Sequence, residues 1–465
     1  MSEIQEPNLS VKRNLKIGFF HLGSGMADVV ATGIWNRIMI SDLGYAATPV
    51  GLLVSLRYFL APLSVWAGRM SDQHVIFGYR RLFWIWLGRL MMAASIGILG
   101  ISTAALTAGG GAAGMTGQDA GLWTVIVLSM LLFSMGNAFS GSTFLALVYD
   151  RSSAAQRGRA VGIVWTFLLV GFAVGGVLFG IMLPSQKEGQ TGLSFTPELL
   201  QNVFVLGGLI LGVLWFASLL GEERRARAGD TVHSQSEYST SIRADLKLAM
   251  SQRRMRFFFW YLALSMFFAF SQDLILEPFG GQVFGMDARI TTRFTTYWAS
   301  TAILGTVVFL FVSRRYKSWT NTRMSLVGAG LLLVTFAVFA VAAFAQIRPL
   351  VTPGLILLGL GLGIWNVGTL GLMMEMSPFG RAGTFLGFWT LVVTLARGMG
   401  VAGGGILRDL GLAVSGSLPV AYGVVFALGV VGLGVSLWAL RQVKVEAISA
   451  EQSASAEAVL AAALD

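Results

Sequence analysis

The chain contains no cysteine. Disulfides, thiolate metal sites and cysteine nucleophiles are therefore excluded. Charge is almost as scarce. Asp, Glu, Lys and Arg make up 12% of 465 residues, against roughly 25% in an ordinary soluble domain. Hydrophobic residues are 55% of the chain and the mean hydropathy is +0.71. So few charges cannot clothe a soluble protein of 49.8 kDa, and the composition reads as an integral membrane protein. There are three histidines, and His21 is the one inside an apolar run; His74 and His233 lie in polar loops. No GxxxxGK[ST] loop, HExxH pair or Asp-rich prenyl-diphosphate motif occurs, which argues against an ATP-driven or enzymatic reading. The Gly359–Gly363 run GLGLG lies within an apolar stretch with no strand before it, so it reads as close helix packing. The net charge of +10 is assigned to loops on one side of a membrane, and no nucleic-acid partner is expected. The N-terminal MSEIQEPNLSVKRNLK is polar and lacks the apolar core of a signal peptide.

What the chain does have is long apolar runs. A helix needs about 20 apolar residues to cross a bilayer. Twelve stretches qualify: 15–40, 48–70, 82–106, 121–149, 158–183, 201–220, 256–278, 294–313, 324–345, 351–376, 383–407 and 418–440. The expected organisation is an N-terminal segment 1–14, a six-helix half 15–220, a basic linker 221–255, a second six-helix half 256–440, and a tail 441–465. With the N-terminus placed inside, the inside segments hold 24 Lys+Arg and the outside segments six. That bias predicts cytoplasmic N- and C-termini.

The two halves share a local pattern. The loop after the fourth span reads YDRSSAAQRGRAVGIVW, and the loop after the tenth reads MEMSPFGRAGTFLGFW. Each begins with an acid, Asp150 or Glu375, continues to a basic residue, Arg157 or Arg381, and reaches a tryptophan eight residues later, Trp165 or Trp389. Arg159 adds a further charge to the first loop. Such a parallel repeat predicts an all-α bundle of the major facilitator type, twelve transmembrane helices in two six-helix halves. Between spans two and three, GRMSDQHVIFGYRR carries Gly68, Asp72, Arg80 and Arg81. Its chemistry is that of a charge latch: Asp72 is expected to accept from backbone amides at a neighbouring helix start, and Arg80 and Arg81 to bridge to acids such as Asp150. The alternative is a solvated basic loop that only obeys topology.

A closer resemblance rests on four segments together: WNRIMISDLG from Trp35, APLSVWAG from Ala61, SDQHVIFGYRR from Ser71, and LEPFGGQVFGM from Leu276. In this combination the chain resembles the PucC/LhaA family, the bacteriochlorophyll-delivery branch of the major facilitator superfamily. The family's Pro-aromatic step after the arginine pair is replaced here by Leu82, Phe83 and Trp84. The resemblance implies a light-harvesting complex assembly factor that delivers or handles (bacterio)chlorophyll, bound transiently. It implies antenna polypeptides as partners, with chlorophyll synthase, membrane-insertion machinery and lipids as further candidates, in an inner or intracytoplasmic photosynthetic membrane. The competing readings are a proton-coupled secondary transporter of a small solute and a non-transporting structural subunit.

Polar and ionisable groups within spans are costly in lipid and mark interior positions. They are Asp28, Asn36 and Arg37 in the first span, Arg57 in the second, Arg89 in the third, Gln272, Asp273 and Glu277 in the seventh, and Arg397 in the eleventh. Opposite signs in each half suggest Asp28 with Arg57 or Arg89, and Asp273 or Glu277 with Arg397. Static pairing, a proton relay and a polar patch for a pigment or lipid head all fit that pattern. His21 is a candidate ligand for a chlorophyll magnesium, set against the ordinary role of a hydrogen-bonded packing residue. Glu277–Gly281, EPFGG, is read as a helix end or as a break lining a cavity. The aromatic clusters at 83–86 and 257–261 read first as an interfacial belt, with a surface for a macrocycle or antenna helix as the alternative.

Overall fold

A computed structural model describes residues 9–114, 119–153, 156–185, 195–223, 225, 253–316, 318–376 and 382–443. The linker and tail expected from the sequence fall largely outside them. Among the described residues eleven helices are long and apolar enough to span a membrane. They are α1 (Val11–Asp42), α2 (Ala47–Gln73), α3 (Leu82–Ala108), α4 (Asp119–Arg151), α5 (Arg157–Met182), α6 (Pro197–Leu219), α8 (Phe294–Arg315), α9 (Asn321–Phe344), α10 (Val351–Glu375), α11 (Ala382–Ser415) and α12 (Leu418–Arg441). The seventh expected span is present in two pieces, α7a (Arg253–Phe270) and α7b (Leu276–Phe284).

The helix boundaries have local causes. Thr196 caps α6 by accepting from Leu199 N at 3.2 Å, with Pro197 in the first turn where its missing N–H costs nothing. Thr320 caps α9 in the same way. Proline also shapes the interiors. Pro62 removes the donor that would meet the Tyr58 carbonyl, and α2 is broken at Leu60 into Ala47–Phe59 and Ala61–Gln73. In α1 the chain departs from α geometry differently, through π-helical turns at Val29–Ile34 and Ile38–Asp42 on either side of Asn36 and Arg37. Such turns concentrate at functional positions.

The packing repeats with a period of six helices. In the first half α3 packs on α4 and α6, α1 on α5 and α6, and α2 on α4. In the second half α9 packs on α10 and α12, α7a on α11 and α12, and α8 on α10. Adding six to each label of the first set produces the second. The halves meet through α2 against α11 and α5 against α8, a pair that exchanges onto itself under the same shift. The architecture is therefore a duplicated six-helix unit with a pseudo-two-fold axis.

Small residues permit these contacts in a medium where burial of apolar surface supplies little drive between helices. GLGLG behaves as expected: a Cβ on Gly359 or Gly363 would strike the Trp298 or Ala302 carbonyl of α8. Three of the buried indoles find hydrogen-bond partners. Trp35 Nε1 donates to Thr103 at 3.1 Å, Trp215 Nε1 to the Phe20 carbonyl at 3.1 Å, and Trp365 Nε1 to Tyr261 at 3.0 Å.

Candidate functional site between the two halves

At the middle of the bundle two ion pairs face each other. In the first half Arg57 of α2 pairs with Asp28 of α1 and donates to Tyr58 Oη at 2.9 Å. In the second half Arg397 of α11 pairs with Asp273, just after α7a, at 3.0 Å. Gln272 Nε2 donates to the other Asp273 oxygen at 2.6 Å. Arg57 also lies within electrostatic reach of Asp273, and Arg397 lies over Phe270 at 4.0 Å and Tyr58 at 5.3 Å. The four charges sum to zero, which is how a low-dielectric interior holds ions. Of the pairings left open by the sequence, Asp28 takes Arg57 rather than Arg89, and Arg397 takes Asp273 rather than Glu277. Glu277 is 5% exposed, and its Oε2 has no hydrogen-bond partner among the described residues.

Farther from the basic loops, the segments WNRIMISD and LEPFGGQVFGM interlock. The chain breaks at Ser271–Ile275, and not at EPFGG: Glu277 and Pro278 sit in the first turn of α7b, which runs on through both glycines to Gly285 at φ 62°. The physical reason is that a proline in a first turn breaks no bond within its own helix. Its cost falls on the residue four positions earlier. Pro278 has no proton for the Leu274 carbonyl, and Asn36 of α1 supplies one instead, Nδ2 to O at 2.8 Å. Arg37 continues the staple, donating to the Met286 carbonyl at 2.8 Å and pairing with Asp42 at 2.7 Å. Gly281 makes room for that guanidinium; a Cβ there would lie 2.6 Å from Arg37 Nε. Gln282 Nε2 returns a bond to the Ile40 carbonyl at 2.7 Å. Asp409 of α11 caps α2 through Ala47 N at 3.1 Å and Thr48 N at 2.7 Å.

His21 lies nearer the basic end, against Phe144 at 4.8 Å and edge-on to Trp165 at 5.8 Å. Its Nδ1 has no hydrogen-bond partner among the described residues, and Trp165 is 50% exposed beside it. Arg89 is deeper, 2% exposed and held between the faces of Phe20 at 4.3 Å and Trp215 at 4.8 Å. Cation–π contact replaces the carboxylate that the sequence suggested for it.

At the basic end the arginines meet the expected acid, but Asp72 does not cap a helix. Arg81 Nη2 pairs with Asp72 at 2.5 Å and Arg81 Nε with Asp150 at 3.1 Å, while Arg80 reaches Asp150 at 3.3 Å. The backbone amides at the start of α3 are taken by Glu223, at 2.8 Å from Arg80 N, 3.0 Å from Arg81 N and 2.7 Å from Leu82 N. Asp72 sits at the end of α2, where its side chain is reached by guanidinium and not by helix-start amides. Gly68 is not a close-approach position, since a Cβ would meet Ser142 Oγ only at 3.6 Å. Arg157 stacks on Tyr149 at 5.6 Å, and Arg159 donates to the Leu9 carbonyl at 2.7 Å. In the second half Glu375 accepts from Asn321 Nδ2 at 2.7 Å, and Arg381 lies outside the described residues.

Comparison with known proteins decides the family. The family model described as PUCC protein matches residues 34–448. The chain belongs to the PucC family. Protein PucC of Rhodovulum sulfidophilum is 29% identical over 412 residues, 88% of this chain and 87% of that one. The "Bacteriochlorophyll synthase 44.5 kDa chain" of Rhodobacter capsulatus is 26% identical over 400 residues, 85% of this chain and 87% of that one. Among solved structures, the nucleoside transporter NupG superposes with a TM-score of 0.62 at 14% identity, covering 94% of this chain and 99% of that one. This PucC-family chain therefore has the major facilitator fold of an integral membrane protein.

Four participants in this PucC-family structure were not singled out from the sequence. Glu223 and Asp409 cap helices from distant helix ends. Gln282 accepts from Arg408 at 2.5 Å, joining α7b to α11. Gln282 directly follows the EPFGG run and was open to notice. The other three carry no local signal, because a charge beside a helix end is ordinary until its partner is known.

Proposed function

We propose that this protein handles (bacterio)chlorophyll during assembly of light-harvesting complexes, and does so without catalysing a reaction. The observation that carries the reading is the family match across residues 34–448. The names of its relatives, Protein PucC and a bacteriochlorophyll synthase chain, point the same way. The donor chemistry of His21 suits a chlorin magnesium. His21 would hold the magnesium as a neutral imidazole, with Phe144 and Trp165 beside the imidazole and an Nδ1 without a hydrogen-bond partner among the described residues. The bound pigment would supply the light-absorbing chemistry; the protein would shelter it from water and present it. Antenna polypeptides are the proposed partners, with chlorophyll synthase and insertion machinery beside them, in a photosynthetic membrane with both termini cytoplasmic. The acid–base contacts of Arg80, Arg81, Asp72 and Asp150 would bias the open and closed states of the bundle on the cytoplasmic side.

The test is a near-infrared absorption spectrum of the protein purified in mild detergent from a pigment-making host. The expected result is a stoichiometric bacteriochlorophyll band that survives washing and is reduced in His21→Ala. A colourless protein would overturn direct pigment handling. A second reading, proton-coupled transport of a small solute, is favoured by the unpartnered Glu277 Oε2 beside the central charges. It predicts pH-gradient-dependent flux in vesicles that Glu277→Gln abolishes.

A further inference from the structure

A groove on the outside of the bundle, between the start of α3 and the end of α6, is separate from the sites above. Phe77, Tyr79, Phe83, Trp86, Leu90 and Phe216 are among its walls, and its volume is about 320 Å³. Two features set it apart from an ordinary interfacial belt. Phe77 is 83% exposed and has φ 52°. It occupies the first position of a two-residue turn closed by Ile76 N to Tyr79 O at 2.9 Å and Tyr79 N to Ile76 O at 3.0 Å, with Gly78 at φ 82° in the second. Asn, Asp or Gly normally fills that left-handed position, and a bulky residue there is strained. Here the strain holds a phenyl ring out at the mouth of the groove, tilted against Phe83 at 5.9 Å between centroids and otherwise exposed. The second feature is a cation at the rim. Arg225 is exposed, its stem lies over Gly78, and its guanidinium stands 5.6 Å from the Tyr79 ring centroid. The acidic neighbour Glu223 is turned away, occupied by the α3 amides.

We propose that this groove binds an anionic phospholipid from the leaflet on the basic side, with an acyl chain along the aromatic wall and the phosphate at Arg225. An apolar trough with the Arg225 guanidinium at its rim matches one lipid molecule in polarity from end to end. A partner helix or a flat macrocycle would use the trough and leave the cation without a role. The inference stands independently of pigment handling.

The full-length protein in nanodiscs tests it. Phosphatidylcholine discs carrying a minority of acyl-brominated phosphatidylglycerol are compared with discs carrying the same fraction of brominated phosphatidylcholine. Bromine quenches indole on contact, and the difference between wild type and Trp86→Phe isolates the groove. The expected result is stronger quenching of the Trp86 component by the anionic lipid. Arg225→Ala should lower that preference about fivefold, the effect of one basic contact near a lipid surface, and Arg225→Lys should keep it. Equal quenching by both lipids, a preference unchanged in Arg225→Ala, or no quenching by either because another partner covers the groove would each overturn the proposal.

Discussion

Asn36→Ala tests the link between a proline on α7b and a polar side chain on α1. The Leu274 carbonyl has no helical donor, because position 278 is proline, and Asn36 Nδ2 supplies the bond at 2.8 Å. Removing it strands a buried acceptor, which costs roughly 1–3 kcal/mol in protein interiors. Interhelical bonds within membranes average nearer 0.6 kcal/mol. Asn36 Oδ1 is itself buried without a partner among the described residues, so its loss offsets part of the penalty. The net expectation is about 1 kcal/mol. The discriminating measurement is a double-mutant cycle with Pro278→Ala. In that background residue 278 has an N–H of its own for Leu274, and Asn36→Ala should cost less, leaving a coupling of about 0.5–1 kcal/mol. Unfolding in mild detergent at fixed lipid content gives each corner of the cycle. Additive effects would refute the claim that Asn36 answers the missing proline donor.

Three further outcomes follow from the same geometry. Asp273→Asn leaves Arg397 without its carboxylate, yet the pair is 21% and 33% exposed and Phe270 still faces the guanidinium. A loss of about 1–2 kcal/mol is expected, with partial recovery in Asp273→Asn/Arg397→Gln; a double variant worse than the single one would refute the pairing. Gly281→Ala should cost roughly 1–3 kcal/mol by thermal melting, because its Cβ meets the Arg37 guanidinium, whereas Gly387→Ala, with open space around it, should be near neutral. Glu223→Ala should lower stability by about 1–2 kcal/mol through loss of the α3 cap, and Glu223→Gln by less than about 1 kcal/mol since it retains an acceptor; equal losses would mean that charge alone matters there.

The central ion pairs show how far local reading reaches. An acid or arginine inside an apolar run announces that it needs a partner, so Asp28, Arg57, Asp273 and Arg397 were recognisable one at a time. Which acid meets which base depends on the rotation of four helices about their axes, and a sequence carries that only faintly. Arg89 illustrates the difference: its charge suggested a carboxylate, and two aromatic faces hold it instead. EPFGG was legible as irregular, but the break lies just before it, at 271–275, because the proline displaces its penalty onto the preceding turn.

Composition and the spacing of apolar runs were enough to indicate a membrane protein, eleven of its spans and the duplication, since the length needed to cross a bilayer and the repeat of a loop are properties of contiguous residues. The tertiary structure decided everything that joins residues far apart in the chain: Asn36 on the Leu274 carbonyl, Arg37 over Gly281, Asp409 on α2, Glu223 on α3. Three of these are hydrogen-bonding needs of one segment met by another and the fourth is space made for a guanidinium, and only the packing of the helices brings the parts within reach.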